Sequence, residues 1–490
     1  MKIIIIALIC FSLIQPFDAQ TQTFHRGNGS EPDSLNIHLA QGINSHNILL
    51  DMYEGLMSFD AKGQVIPGVI THHTVSDNQL TWHFYISPLA KWSDGEAVTS
   101  EDFLFSWQQA IDPQSAAPYR QLFNNLISDQ KLNVKTPDSQ QIVVTLNYPD
   151  SSFLNKLVLP IFFPLPSHST DIKVSNGAFH LSQWDIQEKI HLQKNPYFHH
   201  ADEVSFKQIV YWVTENQNSE LLRFRAKELD FTETIPDHQI NWLLENHPKE
   251  LKIAPYYGTF FLGVNLNDKR LKNNNLRQAL SAAIDRNILV EKVLKSGQQP
   301  AYSIIPPKQV QAKDPIYNLS DAKRWLAASG FQKGTDRLEI LYNNSDNQKK
   351  VALAVAAMWR QNLGVKSQLR NQEWKVFVNT RKGQNKQIFR SGWIADYFSP
   401  INFLELFHSQ SHFNFYAMNH QPYDDLVNKM NTTSDAQSLE QLVFDAEQIL
   451  AKELPVIPLY HYVSRHLVNL DINGYYDNLM DKHLSRYLSK

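Results

Sequence analysis

The sequence predicts a mixed α/β protein folded as two or three lobes. Three observations carry this: a strand–helix–strand unit near residue 350, a strand, turn and helix near residue 90, and a length of 490 residues without a linker. Residues 338–342 alternate apolar and polar like a strand. Residues 349–362 then set Val351, Ala354, Val355 and Met358 on one helical face, Gly364 stops the helix, and 365–369 reads as a further strand, completing a βαβ unit. Residues 321–329 form another helix, capped by Ser320 and ended by Gly330. Nearer the start, 82–86 alternates as a strand, and Trp92-Ser93-Asp94-Gly95 is a turn before a helix beginning at Thr99 or Ser100.

The third observation concerns size. Cores stop growing at roughly 250–300 residues, so a chain this long divides into lobes, and a cleft between lobes is expected. No internal repeat, low-complexity tract or long linker interrupts the sequence, so the lobes are woven together by several crossings of the chain.

The first twenty residues differ in kind from the rest. An apolar run over residues 3–14 follows Met1 and Lys2 and precedes Gln15 and Pro16, the pattern of a secretory signal over residues 1–20. The run is shorter than the roughly 20 residues a membrane span needs. The only cysteine, Cys10, lies inside it behind Ile9, where lipoprotein processing wants a small residue. The exported chain then has no cysteine, which removes disulfides, thiolate metal sites and cysteine nucleophiles together.

A formal charge of −3, from 46 basic and 49 acidic residues, gives no field for nucleic acid or an anionic membrane. The 10 Trp, 19 Tyr and 27 Phe suit a wide pocket, although most such rings serve cores. Catalytic signatures are missing: there is no Gly-x-Ser-x-Gly elbow, His-Glu-x-x-His or phosphate-binding glycine loop. The pairs His72-His73 and His199-His200 are immediate neighbours whose side chains diverge, with no carboxylate or cysteine at ligand spacing, so no metal is expected there. Asp424-Asp425 reads as a solvated face.

Eight segments, in order, resemble the periplasmic oligopeptide-binding proteins that serve ABC importers. They are GSEPDSLNIHLAQG (29–42), MYEGLMSFDAKGQVIPGV (52–69), KWSDGEAVTSEDFLFSWQQAIDP (91–113), NGAFHLSQW (176–184), EKIHLQKNPYF (188–198), YGTFFLGVNL (257–266), LRQALSAAIDRNILVEKVL (276–294) and the run from LYNNSDNQ to SGWIADYFSPINFLELF (341–407). The resemblance implies a class II periplasmic-binding-protein-like fold, two discontinuous α/β lobes with a hinge plus an additional lobe. Lobe I would take residues 20–53, 175–255 and 463–490, the additional lobe II 54–174, and lobe III 256–462.

It also implies a site. Asp396, in SGWIADY, would anchor the ligand's amino end; taken alone, an acid near Pro400 reads as an exposed turn. The strand at 390–393, with Gly392 leaving room for close approach, and the segment Gln41, Gly42, Ile43 from the opposite lobe would hold a peptide between them as an added strand. Trp374, Trp393, Tyr119 and Tyr462 would line the cavity, with Asn343 and Ile394 completing it. Arg381 and Arg390 are the carried-over candidates for the ligand carboxylate. Gln348 stands where some relatives have a histidine that meets the carboxylate of longer peptides, and a cysteine pair of those relatives reads Gly258 and Ile394 here.

The implied partners are short peptides and a membrane ABC permease. A monomer without a cofactor is implied, in a Gram-negative periplasm, binding without turnover. The murein tripeptide of cell-wall recycling is the alternative ligand, and Arg381 serves either reading. Nickel or heme transport fits less well, because such receptors need no amino-end carboxylate. A secreted hydrolase is opposed by the missing motifs, and a chaperone-like or adhesive role on the same fold stays open.

Overall fold

Two long strands, Leu251–Val264 and Val456–Leu467, pair antiparallel and run through the middle of the molecule. Both are rich in β-branched and aromatic residues, which suit a pleated, half-buried surface. Their pairing comes in two stretches, from Leu251 opposite Leu467 to Pro255 opposite Val463, and from Thr259 opposite His461 to Gly263 opposite Val456. The register shifts between them, and there Tyr257 donates its N–H to the Leu479 carbonyl at 2.7 Å. The two stretches serve different cores. Leu251 and Leu467 pack with Leu221, Phe224 and Leu243, whereas Phe260 and Leu262 pack with Leu280, Ile340 and Trp359.

The computed structural model describes residues 23–307, 316–433 and 435–490. The expected signal segment and Cys10 lie outside the described residues. Among those described, no helix is long and apolar enough to cross a membrane.

On the N-terminal side stand two four-stranded sheets. The first runs in the order Thr23–Gly27, Gln208–Trp212, Lys189–Lys194, Phe179–Asp185, with its first pair parallel and the others antiparallel. The second, Ile70–Val75, Thr81–Ile86, Gln141–Thr145, Val134–Asp138, is antiparallel throughout. One continuous core joins them, with Phe24, Ile48, Trp92 and Trp107 wholly enclosed.

On the other side lies a six-stranded mixed sheet in the order Gln299–Pro300, Val456–Leu467, Leu251–Val264, Ile388–Ile394, Arg337–Asn343, Lys366–Gln372. Its outer part is the expected βαβ unit. Arg337–Asn343 and Lys366–Gln372 pair in parallel, bridged by the helix Asp346–Leu363. Val351, Val355 and Met358 are buried as the periodicity requires, and Gly364 ends the helix at φ 73°, a left-handed conformation that glycine takes without a Cβ penalty. The strand Thr81–Ile86 and the helix Ser100–Ile111 also lie where the sequence puts them, and Gly95 closes its turn by donating to the Trp92 carbonyl at 3.0 Å.

One capping assignment changes. The helix expected at 321–329 spans Leu319–Ala328, and its cap is Asn318 rather than Ser320. The Asn318 side chain accepts the Asp321 N–H, the third helical donor, at 3.1 Å; Ser320 already sits inside the first turn.

Candidate functional site

Strand order locates a crevice before any side chain is considered. From the end of Arg337–Asn343 the chain continues through a helix to Lys366–Gln372, on the outer side. From the end of Ile388–Ile394 it continues through helices to Val456–Leu467, on the inner side. These two adjacent parallel strands therefore leave in opposite directions, and in α/β sheets ligands bind outside the carboxyl ends of strands at such a switch point.

The pairing there is also incomplete. Arg337–Asn343 and Ile388–Ile394 are matched only at Ile340 with Ile388 and Leu341 with Phe389, and beyond that they part. On its other edge Ile388–Ile394 pairs fully with Leu251–Val264. The bonds Asn265 N–H to Gln387 O, 2.9 Å, and Ala395 N–H to Tyr257 O, 3.0 Å, show that odd-numbered residues face that partner. By alternation, the main-chain groups of Arg390, Gly392 and Ile394 face the parted side. An edge of this kind accepts a further strand.

Asp396 lies just past the open edge. Its N–H donates to Asn402 Oδ1 at 3.2 Å, and the same oxygen accepts the Trp393 indole N–H at 2.8 Å, so Asn402 fixes both residues. The Asp396 carboxylate accepts no hydrogen bond from any described residue. Burial pushes its pKa up to about 6, with only the charge of Lys482 pulling the other way. It shares a small cavity with Ile37, Ala40, His46, Tyr119, Pro160 and Ile161, three segments remote in sequence. His46 is held down to about 4 by burial, and therefore neutral, and the Tyr119 hydroxyl is raised by burial and by the charge of Asp396. The surroundings favour a cation and supply none of their own within ion-pair distance.

At the other end of the edge the charge is reversed. Arg390 lies over the rings of Phe260 and Trp374, at 5.7 and 5.8 Å, and Arg381 over those of Phe415 and Phe377, at 4.8 and 5.7 Å. Neither guanidinium meets a carboxylate among the described residues, and the Nε of each is buried without a partner. Burial lowers the Arg381 pKa, and the neighbouring charge of Arg390 lowers it further. Asn343 Oδ1, Gln348 Oε1 and Gln372 Oε1 are likewise buried and unpartnered, at the carboxyl ends of the outer strands and the start of the helix between them. Unmet polar atoms are costly, so five at one crevice mark a place where something else binds.

The remaining expected residues divide. Trp374 is 49 % exposed at the start of the helix Trp374–Lys382, so it is no core residue. Trp393 is half-buried against Phe413, 5.0 Å between ring centres. Gly258 and Ile394 stand directly opposite one another across the central pairing. Gly392 also serves a neighbour within the fold. A Cβ there would come within 2.5 Å of the Tyr462 hydroxyl, so the missing side chain makes room for Tyr462. Gln41, Gly42 and Ile43 do not form an extended strand. Gln41 and Gly42 donate their N–H groups to Asp33, at 2.9 and 3.2 Å, and Gly42 caps the helix Ile43–Met52, of which Ile43 is the first residue. Asp33, directly after Glu31-Pro32, signals in sequence only a turn, and its hold on both donors is not legible there.

The histidine pairs also acquire partners. His199 bonds Glu54 at 2.5 Å and His200 meets Glu203 at 3.2 Å, while His72 stacks on Tyr85. Glu54 is 145 residues from His199, so spacing could not have revealed it. His46, Asn402, Gln372 and Lys482 were not singled out by sequence.

Residues 64–415 match the family described as bacterial extracellular solute-binding proteins, family 5. The chain belongs to that family. It is 34% identical over 504 residues to the periplasmic oligopeptide-binding protein OppA of Salmonella typhimurium, covering 95% of this chain and 93% of that one. Its fold is similar to the murein tripeptide binding protein MppA of Escherichia coli, with TM-score 0.83, 28% identity and coverage of 96% and 99%. It is equally similar to Haemophilus influenzae OppA in complex with RPPGFSPFR, with TM-score 0.81, 29% identity and coverage of 96% and 99%. Family 5 proteins are defined by capture of a solute, not by catalysis.

Proposed function

We propose that this solute-binding protein captures short peptides in the crevice beside Ile388–Ile394 and hands them to a membrane ABC importer. The observation that carries the reading is the Asp396 carboxylate, desolvated and without a hydrogen bond, at one end of an open strand edge whose other end carries two arginines without acidic partners. A peptide's ammonium would pair with Asp396 and its main chain with the groups of Arg390, Gly392 and Ile394. Its carboxylate would reach Arg390 or Arg381, bidentate geometry favouring arginine.

Six residues separate Asp396 from Arg390, about 20 Å of strand at the usual rise. Allowing for the reach of an arginine side chain, that suits an extended ligand of roughly three to five residues. Trp374, Trp393, Tyr119 and Tyr462 would line the walls, with Asn343 and Ile394 beside them, and water would adapt to varied side chains. Gln41, Gly42 and Ile43 would contribute through the helix start rather than as a strand.

Residues 20–53, 175–255 and 463–490 would act as one lobe, 54–174 as an addition to it and 256–462 as the opposing lobe. They would close about the register shift near Tyr257, a hinge motion driven by contacts made only when closed. The protein would work in the periplasm, a word its relatives' names carry, within a Gram-negative envelope, and would release its ligand chemically unchanged.

Mass spectrometry of ligand co-purifying with the protein tests this. A mixture of intact short peptides is the expected result; cleaved fragments or a non-peptide solute would contradict it. The alternative ligand, murein tripeptide, gains support from the two unpaired arginines, which could hold a second carboxylate, and would be recognised as a single muropeptide in the same spectrum.

A further inference from the structure

Behind the Lys482 charge that also reaches Asp396, one side chain of the crossing strand and two of the C-terminal segment meet in a buried knot. Asp481 Oδ1 lies 2.8 Å from His466 Nε2 and 3.0 Å from His483 Nε2, and the three ligand atoms lie within 4.8 Å of one another. His466 stands on Val456–Leu467, opposite Lys252, while Asp481 and His483 come from the C-terminal segment. Both imidazoles are buried.

His466 is over-supplied with acceptors. Its Nδ1 lies 2.9 Å from the Thr232 carbonyl, which can only accept, so Nδ1 carries the proton. A neutral ring then presents a bare lone pair at Nε2 to the Asp481 oxygen, an opposition that a cation must relieve. Either a second proton or a metal ion fills that place. The carbonyl on Nδ1 is the outer partner that metal-bound histidines ordinarily have, fixing the tautomer and aiming Nε2. The ring of Phe231, 4.8 and 5.7 Å from the two imidazoles, and that of Tyr475, stacked on His483 at 4.6 Å, hold the rings in place.

The charges around the knot are of both signs, and Arg26 bears on His483 as a like charge. Arg26 donates to the His483 carbonyl at 2.6 Å and faces the charge of Asp51; Arg465 is tied to Asp237. Lys482 is shared between Asp481 and Asp396. The acids facing the knot are Asp481 itself and Glu233, whose pKa burial raises toward the neutral form.

We infer that His466, Asp481 and His483 form a binding site for one zinc-class divalent ion, separate from the peptide crevice, that fastens the C-terminal segment to the crossing strand. Two imidazole nitrogens and one carboxylate oxygen suit zinc, cobalt or nickel and not calcium or magnesium, which take oxygen donors. Bond lengths of about 2.0–2.2 Å need the ligand atoms to move apart by a few tenths of an ångström, with water in the fourth position.

The test uses the untagged full-length protein, stripped with a chelator. Titration with zinc chloride should show one ion bound per chain, and cobalt chloride should give the visible absorption of a four-coordinate nitrogen and oxygen site. Asp481→Asn and His483→Gln should each weaken zinc by at least about a hundredfold, more than loss of an outer partner costs, while the exposed-site control His72→Gln leaves it unchanged. Peptide affinity and circular dichroism identify variants that still fold; if neither does, the wild-type cobalt spectrum decides. No saturable zinc uptake by the wild type, or uptake by both variants as tight as that of the wild type, would overturn the inference and leave the knot to a proton alone.

Discussion

Glu54 and Asp396 are both carboxylates held away from solvent, and their surroundings could hardly differ more. Glu54 is met by Arg486 and by His199, and despite burial, which raises an acid's pKa, Arg486 brings it down to about 2. The Asp396 carboxylate accepts no hydrogen bond from any described residue and feels only the charge of Lys482, and burial wins, leaving it at about 6. The first is a completed internal pair that fastens the C-terminal segment to the chain near residue 54. The second is one half of a pair, and a free amino end is the other half that fits.

Four changes would break or sharpen that contrast. The largest effect is expected from Glu54→Gln, which leaves Arg486 buried without its counter-charge and should cost about 3–5 kcal/mol of stability in denaturant unfolding. Peptide affinity of the folded variant should be unchanged. Because the folded Glu54 pKa lies below its ordinary 4.5, its contribution is present above that value and fades as pH falls toward 2.

Asp396→Asn should behave oppositely. It leaves a ligand ammonium unpaired and should weaken peptide binding by about 2–5 kcal/mol in calorimetry. Stability at pH 7 should stay level or rise. With its pKa raised from 3.8 to about 6, Asp396 costs the fold stability that grows as pH rises through that interval and is complete above about pH 6, and a neutral side chain removes that cost.

The pH dependence of binding is the third. An ammonium needs the ionised carboxylate, so affinity should be constant above about pH 6 and fall below it, by about tenfold at pH 5. A flat profile between pH 5 and 7 would place the anchor elsewhere. The smallest effect belongs to Trp374→Ala. Loss of the ring beneath Arg390 should weaken binding of peptides with a free carboxylate by about 1 kcal/mol, and leave the carboxyl-amidated form nearly unaffected.

What the sequence disclosed follows from what is local. The βαβ unit was legible because the helical period of Val351, Val355 and Met358 and the stop at Gly364 are written in consecutive residues. The helix at 319–328 was found, but its cap was misplaced by two positions because Asn318 and Ser320 are both capping residues and only geometry separates them. In the crevice, Asp396, Trp374 and the two arginines came through a motif resemblance, and they stand on or beside one open strand. The Asp33 carboxylate that occupies Gln41 and Gly42, the Tyr462 hydroxyl that explains Gly392, and the knot of His466 with Asp481 and His483 are products of tertiary contact. No spacing rule joins residues 466, 481 and 483, so a sequence reading confined to the adjacent histidine pairs, the zinc motifs and the missing cysteines expects no metal.

The pairing of Asp396 with a ligand's amino end is the contact on which the proposed site depends. Calorimetry at pH 7 of wild type and Asp396→Asn, each with trialanine and N-acetyl-trialanine, tests it most directly. Acetylation should weaken binding to the wild type by a factor comparable to the Asp396→Asn substitution, and should have little further effect on the variant. If acetylation weakened both proteins equally, Asp396 would not be the partner of the amino end.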